Sequence, residues 1–229
     1  MRPERHQLAG VLLIATGTLA LEIVLTRIFS VTMWYHFAFL AISMALMGSA
    51  VAGIALYFFP HLSQPFQAQR CIGWAALALA VCAPLTFILS LHIPVNLTLG
   101  RTGGLAWQQV GRLALIYLDL TIPFFLSGVI LSLAMSAWSE HAGRVYWADL
   151  SGAALGCLVS IVILETLGGA GAVLAIGSIA ALAALAFMWK RGRARLLAAA
   201  ILLATVGLTA GNARQGWIAI SVNKAGGQE

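Results

Sequence analysis

Charged side chains are scarce in this chain: Asp, Glu, Lys and Arg together make up 9% of its 229 residues. A soluble domain usually carries about 25% charged residues, so the composition excludes an ordinary water-soluble fold. Hydrophobic residues account for 61% of the sequence, and the mean hydropathy is +0.95. The chain is therefore predicted to be an integral membrane protein.

Cysteines and catalytic patterns are also scarce. The three cysteines, Cys71, Cys82 and Cys157, lie in or beside apolar blocks without C-x-x-C spacing, so we expect small buried side chains and no disulfide framework. His36 and His92 lack the i, i+4 spacing on one helix that favours a metal site. No Ser–His–Asp pattern indicates a nucleophile. The sequence predicts no metal, no cofactor and no catalysis by this chain alone.

Long apolar blocks fill most of the sequence. The hydrocarbon core of a bilayer is about 30 Å thick and needs about 20 apolar residues in a helix to cross it. We predict an all-α, polytopic transmembrane bundle of about seven spans. The predicted spans are Leu8–Phe29, Met33–Phe59, Ile72–Leu91, Leu113–Ala137, Val145–Leu164, Gly168–Met188 and Leu196–Ala210.

The spans divide the chain into three regions. Residues 1–7 are predicted to form a cytoplasmic tail, residues 8–211 the transmembrane domain, and residues 212–229 a polar tail or a linker to a separate soluble domain. Within that tail, residues 217–222 are compatible with a short strand that has nothing in this chain to pair with. Pro60, Pro65 and Pro94 are expected between the spans, where water can satisfy the backbone.

Basic residues predict the orientation. Eight Lys and Arg residues fall on the N-terminal side of the bundle against four or five on the other side, so the N-terminus is predicted to be cytoplasmic in a bacterial inner membrane. Most basic residues lie singly between apolar blocks, which argues against nucleic acid despite the net charge of +6. One cluster of basic residues supports this orientation and is also a candidate for binding anionic lipid headgroups. It consists of Lys190, Arg191, Arg193 and Arg195.

Small residues recur at four-residue spacing within two spans. Gly152 and Gly156 form a GxxxG motif that Ser160 continues, and Gly48 with Ala52 repeats the spacing on the second span. Such faces let helix backbones approach closely in a membrane. The pattern predicts close helix packing, and a homodimer through Gly152 and Gly156 is an alternative use of the same face.

Ionisable residues inside the spans are costly unless they are paired or hydrated. Six polar residues are expected near one depth, in the outer half of the bundle: Glu22, Arg27, His36, His92, Asp119 and Glu165. A structural interpretation pairs Glu22 or Asp119 with Arg27 or His36. Two alternatives are a pathway for a substrate, proton or ion, and a metal site. Asp149 lies apart, near the inner end of its span beside Arg144, and we expect a local ion pair or a helix N-terminal charge there.

Three stretches resemble a known family. They are LEIVLTRIF at 21–29 running into WYHFAF at 34–39, YLDLTIPFFLSG at 117–128, and RVYWADLSGAALGC at 144–157 with ETLGG at 165–169. Together they resemble the N-terminal membrane domain of bacterial spermidine synthase-like integral membrane proteins. The resemblance implies a bundle similar to part of a major-facilitator-type fold. It also places Glu22, Arg27, His36, Asp119 and Asp149 first among the site residues.

In that family the membrane domain precedes a soluble Rossmann-like aminopropyltransferase domain, and residues 222–229 are similar to the linker that leads to it. This chain contains no such domain, so the resemblance does not extend to aminopropyl transfer here. We expect a membrane anchor, partner-docking or substrate-pocket module, whose partners are membrane lipids and a soluble domain or another membrane subunit. The alternatives are a transporter or channel-like subunit for a small polar or cationic solute, an accessory subunit of a larger membrane complex, and a membrane-embedded enzyme.

Overall fold

A computed structural model describes residues 2–32, 38–93 and 107–218, and every regular element within these ranges is helical. The six long helices are α1 (Arg5–Thr32), α2 (Ala38–Phe58), α3 (Pro65–Leu91), α4 (Trp107–Ala137), α5 (Ala142–Phe187) and α6 (Gly192–Gln215). Short 3₁₀ turns at Pro60–Ser63 and Ser139–His141 precede α3 and α5. The predicted all-α class is confirmed.

The helices are apolar enough for a bilayer. All six exceed the length and hydropathy needed to cross a membrane, which confirms the multi-pass membrane class. Many large apolar side chains point outward, including Phe39 on α2, Leu118 on α4 and Leu203 on α6. In water this surface would be unfavourable, whereas lipid tails cover it without cost.

Of the three prolines expected between the spans, Pro60 does lie between α2 and α3, and Pro94 lies outside the described residues. Pro65, predicted between spans, instead begins α3, because its fixed φ and missing N–H suit the first turn of a helix. Pro84 and Pro123 lie inside α3 and α4. Neighbouring helices can compensate for the hydrogen bonds that such prolines remove in a membrane bundle.

Gly168 divides α5 into two arms. The sequence predicted separate spans on either side of this residue, whereas helical geometry continues from Ala142 to Phe187 apart from Gly168, at φ 67° and ψ 179°. That φ lies in the left-handed region, which glycine adopts without strain and other residues avoid. We call residues 142–167 the first arm and residues 169–187 the second arm.

The two arms run in opposite directions alongside α1. Gly152 of the first arm contacts Leu12, while Phe187 of the second arm contacts Gly10. A straight helix would separate residues 152 and 187 by about 52 Å, but residues 10 and 12 of α1 are about 3 Å apart along its axis. The chain therefore reverses at Gly168, and α1 lies between the two arms.

Glycines bring α1 and the first arm into backbone contact. A Cβ atom added to Gly152 would lie 2.2 Å from the Leu12 carbonyl oxygen, and one on Gly156 would lie 2.7 Å from the Thr16 carbonyl oxygen. The Thr16 hydroxyl lies 2.9 Å from the Gly152 carbonyl oxygen, so it can donate a hydrogen bond across the interface. Ser160, four residues further along, is fully buried. This face is covered within the chain, so the alternative of a homodimer through Gly152 and Gly156 is wrong.

A second glycine contact joins α2 and α4. A Cβ atom on Gly48 would lie 2.7 Å from the Cβ atom of Phe124, and one on Gly128 would lie 2.9 Å from the Cβ atom of Ala52. Residue numbers rise together along both helices, so α2 and α4 run in the same direction. α2 packs against α1 after a short connection, and such neighbours are antiparallel. Hence α4 runs opposite to α1.

The end of α6 differs from the prediction. The last apolar block was expected to end at Ala210 with a polar tail from Asn212, whereas the helix continues to Gln215. The Asn212 side-chain oxygen accepts a hydrogen bond from the Ile218 N–H at 2.8 Å. Gly216, at φ 61°, adopts the left-handed conformation that ends many helices. Of the predicted strand at 217–222, residues 219–222 lie outside the described residues, and Trp217 and Ile218 are not in a strand.

We predict that Gly152→Ala lowers the free energy of unfolding by about 1–3 kcal/mol, the usual cost of overpacking. The added methyl group would force α1 and the first arm apart. The measurement is the thermal unfolding midpoint in detergent.

Gly143→Ala is the matched control, because this glycine lies on the same arm and an added Cβ atom would meet nothing within 4 Å. The control should leave the midpoint unchanged or raise it slightly, since alanine favours helix. Equal midpoints for the two variants would contradict the close contact at Gly152.

Candidate intramembrane polar site

Of the six polar residues predicted to gather at one depth, the five that the structure describes differ in burial and form no ion pair with one another. Glu22 and Asp119 are half-buried within α1 and α4, whereas Arg27, His92 and Glu165 are exposed. His36 lies outside the described residues. Within the ranges that the structure describes, no ion pair joins any two members of the set.

Of the expected pairings, the structure describes no ion pair of Glu22 or Asp119 with Arg27, and a pairing with His36 lies outside the described residues. Glu22 and Arg27 are five positions apart on one helix, which turns their side chains about 140° away from each other. The predicted pair of Asp149 with Arg144 fails for the same reason of spacing: Asp149 is half-buried while Arg144 is exposed on another face. Glu22 and Asp149 are thus half-buried without a described cationic partner.

A small central cavity lies among α1, α3, α4 and the second arm. Its volume is about 10 Å³, roughly the space that one water molecule needs. Its walls are almost entirely apolar, formed by Leu13, Ile14, Gly17, Thr18, Leu21, Leu79, Pro123, Phe124, Ile176 and Ala180.

Glu22 and Asp119 lie one helical turn from this cavity. Thr18 and Pro123 line it, and residues four apart share a helix face. Glu22 follows Thr18 by four residues, and Asp119 precedes Pro123 by four. Because α1 and α4 are antiparallel, both carboxylates lie on the same side of the cavity, toward the end of the bundle at which α1 ends.

Cys82 belongs to the same region, although its place in an apolar block predicts only a small hydrophobic residue. It follows the cavity-lining Leu79 by three residues on α3 and interacts electrostatically with Asp119 on α4. The signal in the sequence was its position at the centre of an apolar block, at a depth similar to that of Asp119. The sequence does not show that α3 packs against α4, so a similar depth alone could not place Cys82 and Asp119 at one interface.

Asp119 has two hydrogen-bond acceptors close together in the membrane interior, its side-chain Oδ2 atom and its backbone carbonyl oxygen. Its side-chain Oδ2 atom is buried and, among the described residues, accepts no hydrogen bond. Pro123 has no N–H, so the helix supplies no donor for the Asp119 carbonyl oxygen four residues earlier. The D-x-x-x-P spacing was readable in the sequence. Its chemical consequence is a place that attracts a proton, a water molecule or a cation.

No group of three His, Cys, Asp or Glu side chains in residues 2–32, 38–93 and 107–218 is arranged to hold a metal ion. The predicted helix-packing residues Gly48, Ala52, Gly152 and Gly156 lie at helix contacts and contribute no polar side chains to this site.

Comparison with known proteins does not identify a family. No protein-family model, curated protein or solved structure matches this chain significantly. The resemblance to spermidine synthase-like membrane domains accordingly stays a hypothesis, and the account of the site depends on its geometry alone.

We predict that Asp119→Asn does not lower the thermal unfolding midpoint. If Asp119 is ionised, the substitution should raise the midpoint, because a charged side chain at the centre of a transmembrane helix costs about 2.5–3.5 kcal/mol to insert into a membrane. The amide keeps the shape of the side chain. The measurement is thermal unfolding in detergent at neutral pH.

Glu165→Gln serves as the control, since Glu165 is exposed near the distal end of the first arm and the change should leave stability nearly unaltered. A large loss of stability in Asp119→Asn but not in Glu165→Gln would show that the carboxylate makes a stabilising interaction, contrary to this account.

Proposed function

We propose that this chain is a seven-span scaffold domain of a bacterial inner membrane, with its N-terminus in the cytoplasm and no catalysis of its own. It would anchor or dock a soluble domain or another membrane subunit. The family resemblance of the three quoted stretches supports a soluble partner of the aminopropyltransferase-like class. The packing of the bundle supports a structural role.

The reversal at Gly168 supports the proposed count of seven. The first arm has 26 residues and the second has 19, and a helix of about 17–25 residues is usually enough to cross a bilayer core. Six helices with one of them doubled back give seven crossings. With an odd number of crossings, the two ends of the transmembrane domain face opposite sides of the membrane.

The observation that favours a scaffold is the closed interior. The central cavity measures about 10 Å³, whereas sites for small organic ligands usually measure about 300–1,000 Å³. α1, the helix at the centre, is in backbone contact with the first arm at Gly152 and Gly156. A polyamine-like cation would need these contacts to separate before it could enter.

A second candidate function is proton or cation transfer, and the observation that favours it is the acceptor-rich surroundings of Asp119. The unpartnered Oδ2 atom and the carbonyl oxygen without a helical donor lie one turn from the central cavity. Intramembrane carboxylates of this kind often belong to proton relays. In this function the bundle would open toward the end at which α1 ends.

We predict that single cysteines placed at Ser139 and Arg193 label from the same side of the membrane, and that a cysteine at Thr166 labels from the opposite side. All three positions are exposed. The measurement is labelling by a membrane-impermeant maleimide in intact spheroplasts, in a background where Cys71, Cys82 and Cys157 are replaced by serine. Labelling of Ser139→Cys and Arg193→Cys from opposite sides would show that α5 crosses the membrane once.

The function is tested by flux through proteoliposomes. The scaffold proposal predicts that imposed proton and spermidine gradients dissipate no faster with the wild-type chain than in protein-free liposomes. Asp119→Asn should behave identically. Flux in the wild type that Asp119→Asn abolishes, while Glu165→Gln retains it, would replace the scaffold with the second candidate function.

A further inference from the structure

A polar cavity lies at the end of the bundle where α1 begins, on the side predicted to be cytoplasmic. Its volume is about 360 Å³, far larger than the central cavity. α1, α3 and the end of the second arm all contribute to it. The lining residues are Arg2, Glu4, His6, Gln7, Gln69, Phe187, Lys190 and Arg191.

Glu4 is the single carboxylate among the lining residues, and its charge is already compensated. Lys190 donates to Glu4 Oε1, and His6 Nε2 lies 2.8 Å from Glu4 Oε2. These hydrogen bonds hold the pKa of Glu4 below its ordinary value. His6 Nδ1 also lies 2.9 Å from the Ala186 carbonyl oxygen, so the ring can donate to both acceptors when it is protonated. The carboxylate thus fixes the N-terminal segment to the second arm.

Positive charge in the cavity remains in excess. Within the described ranges, Arg2 and Arg191 form no ion pair with a carboxylate, and Arg70 on α3 lies close enough to Arg191 to repel it. Partial burial, and then the charge of Arg70, lower the pKa of Arg191. A cavity whose lining carries an excess of one sign of charge raises the local concentration of counter-ions, so this cavity attracts anions.

We propose that this cavity binds a phosphate group, held by the guanidinium groups of Arg2 and Arg191 with Lys190 beside them. Arginine presents planar, paired donors that match phosphate oxygens, and such charge-assisted hydrogen bonds are the strong ones in proteins. A volume of about 360 Å³ lies within the usual range of small-ligand sites. It accommodates a phosphate together with an attached group. The phosphate belongs either to an anionic phospholipid headgroup or to a soluble phosphate compound.

The structure separates the four basic residues that the sequence grouped together as a lipid-headgroup cluster. Lys190 and Arg191 line the cavity. Arg195 instead lies over the ring of Trp189, with its guanidinium carbon 4.2 Å from the ring centroid. Arg193 is exposed and does not line the cavity. Arg193→Gln therefore removes the same charge two residues away, at the start of α6, without altering the lining of the cavity.

The test measures phosphate binding to the purified full chain. Calorimetric titration with inorganic phosphate in a non-ionic detergent probes a soluble ligand, and native mass spectrometry from phosphatidylcholine nanodiscs with or without phosphatidylglycerol probes a lipid. We expect saturable binding of at least one of the two probes, inorganic phosphate or phosphatidylglycerol. Arg191→Gln should weaken it by about tenfold or more, because one charge-assisted hydrogen-bonding group is lost. Arg193→Gln should change it less than twofold.

Arg191→Lys guards against a variant that merely fails to fold. It keeps the positive charge and loses only the planar pair of donors, so binding should fall between that of the wild type and that of Arg191→Gln, a result that a misfolded protein cannot give. Binding of phosphate alone assigns a soluble ligand, and retention of phosphatidylglycerol alone assigns a lipid. The proposal would be overturned if neither inorganic phosphate nor phosphatidylglycerol bound saturably. It would also be overturned if Arg191→Gln and Arg193→Gln weakened binding equally.

Discussion

The insertion of α1 between the two arms of α5 is the contact from which the remaining structure follows. Helices in lipid gain little from hydrophobic burial, because the tails around them are equally apolar, so close packing must supply the stability. Gly152 and Gly156 provide it by letting the first arm approach the carbonyl oxygens of Leu12 and Thr16. The second arm covers the opposite side of α1 through Phe187 at Gly10 and through Ile176 and Ile179 at Gly17. An enclosed, apolar centre with almost no free volume is the consequence.

This centre explains the positions of the two polar regions. Glu22 and Asp119 lie one turn beyond the central cavity, toward the end at which α1 ends. The basic cavity lies at the other end, where the N-terminal segment meets the end of the second arm through Glu4, His6 and Lys190. A packed interior thus separates an acidic region within the membrane from a basic region at its surface. Their opposite charges suit different partners, a proton or cation in one case and a phosphate group in the other.

Composition and hydropathy predicted the helical membrane class and the approximate helix positions, because a bilayer imposes one length scale on every span. They also predicted a break near Gly168, where the glycines interrupt the apolar pattern. The side-chain pairings could not be predicted in the same way. Depth along a helix can be read from the sequence, but the direction of a side chain around the helix axis depends on which neighbours pack there. For this reason Glu22 and Arg27, close in sequence, face apart, whereas Asp119 and Cys82, on different helices, lie close enough to interact electrostatically.

The reversal of α5 at Gly168 is the central claim, and a distance between its two ends tests it most directly. Spin labels at Gly143→Cys and Trp189→Cys, both exposed positions, can be measured by double electron–electron resonance in nanodiscs with the native cysteines replaced. Two arms on opposite sides of α1 are separated by about two interaxial spacings of 8–10 Å, so we predict a distance of roughly 20–30 Å. A continuous helix through Gly168 would place the labels about 69 Å apart, and such a distance would contradict the account.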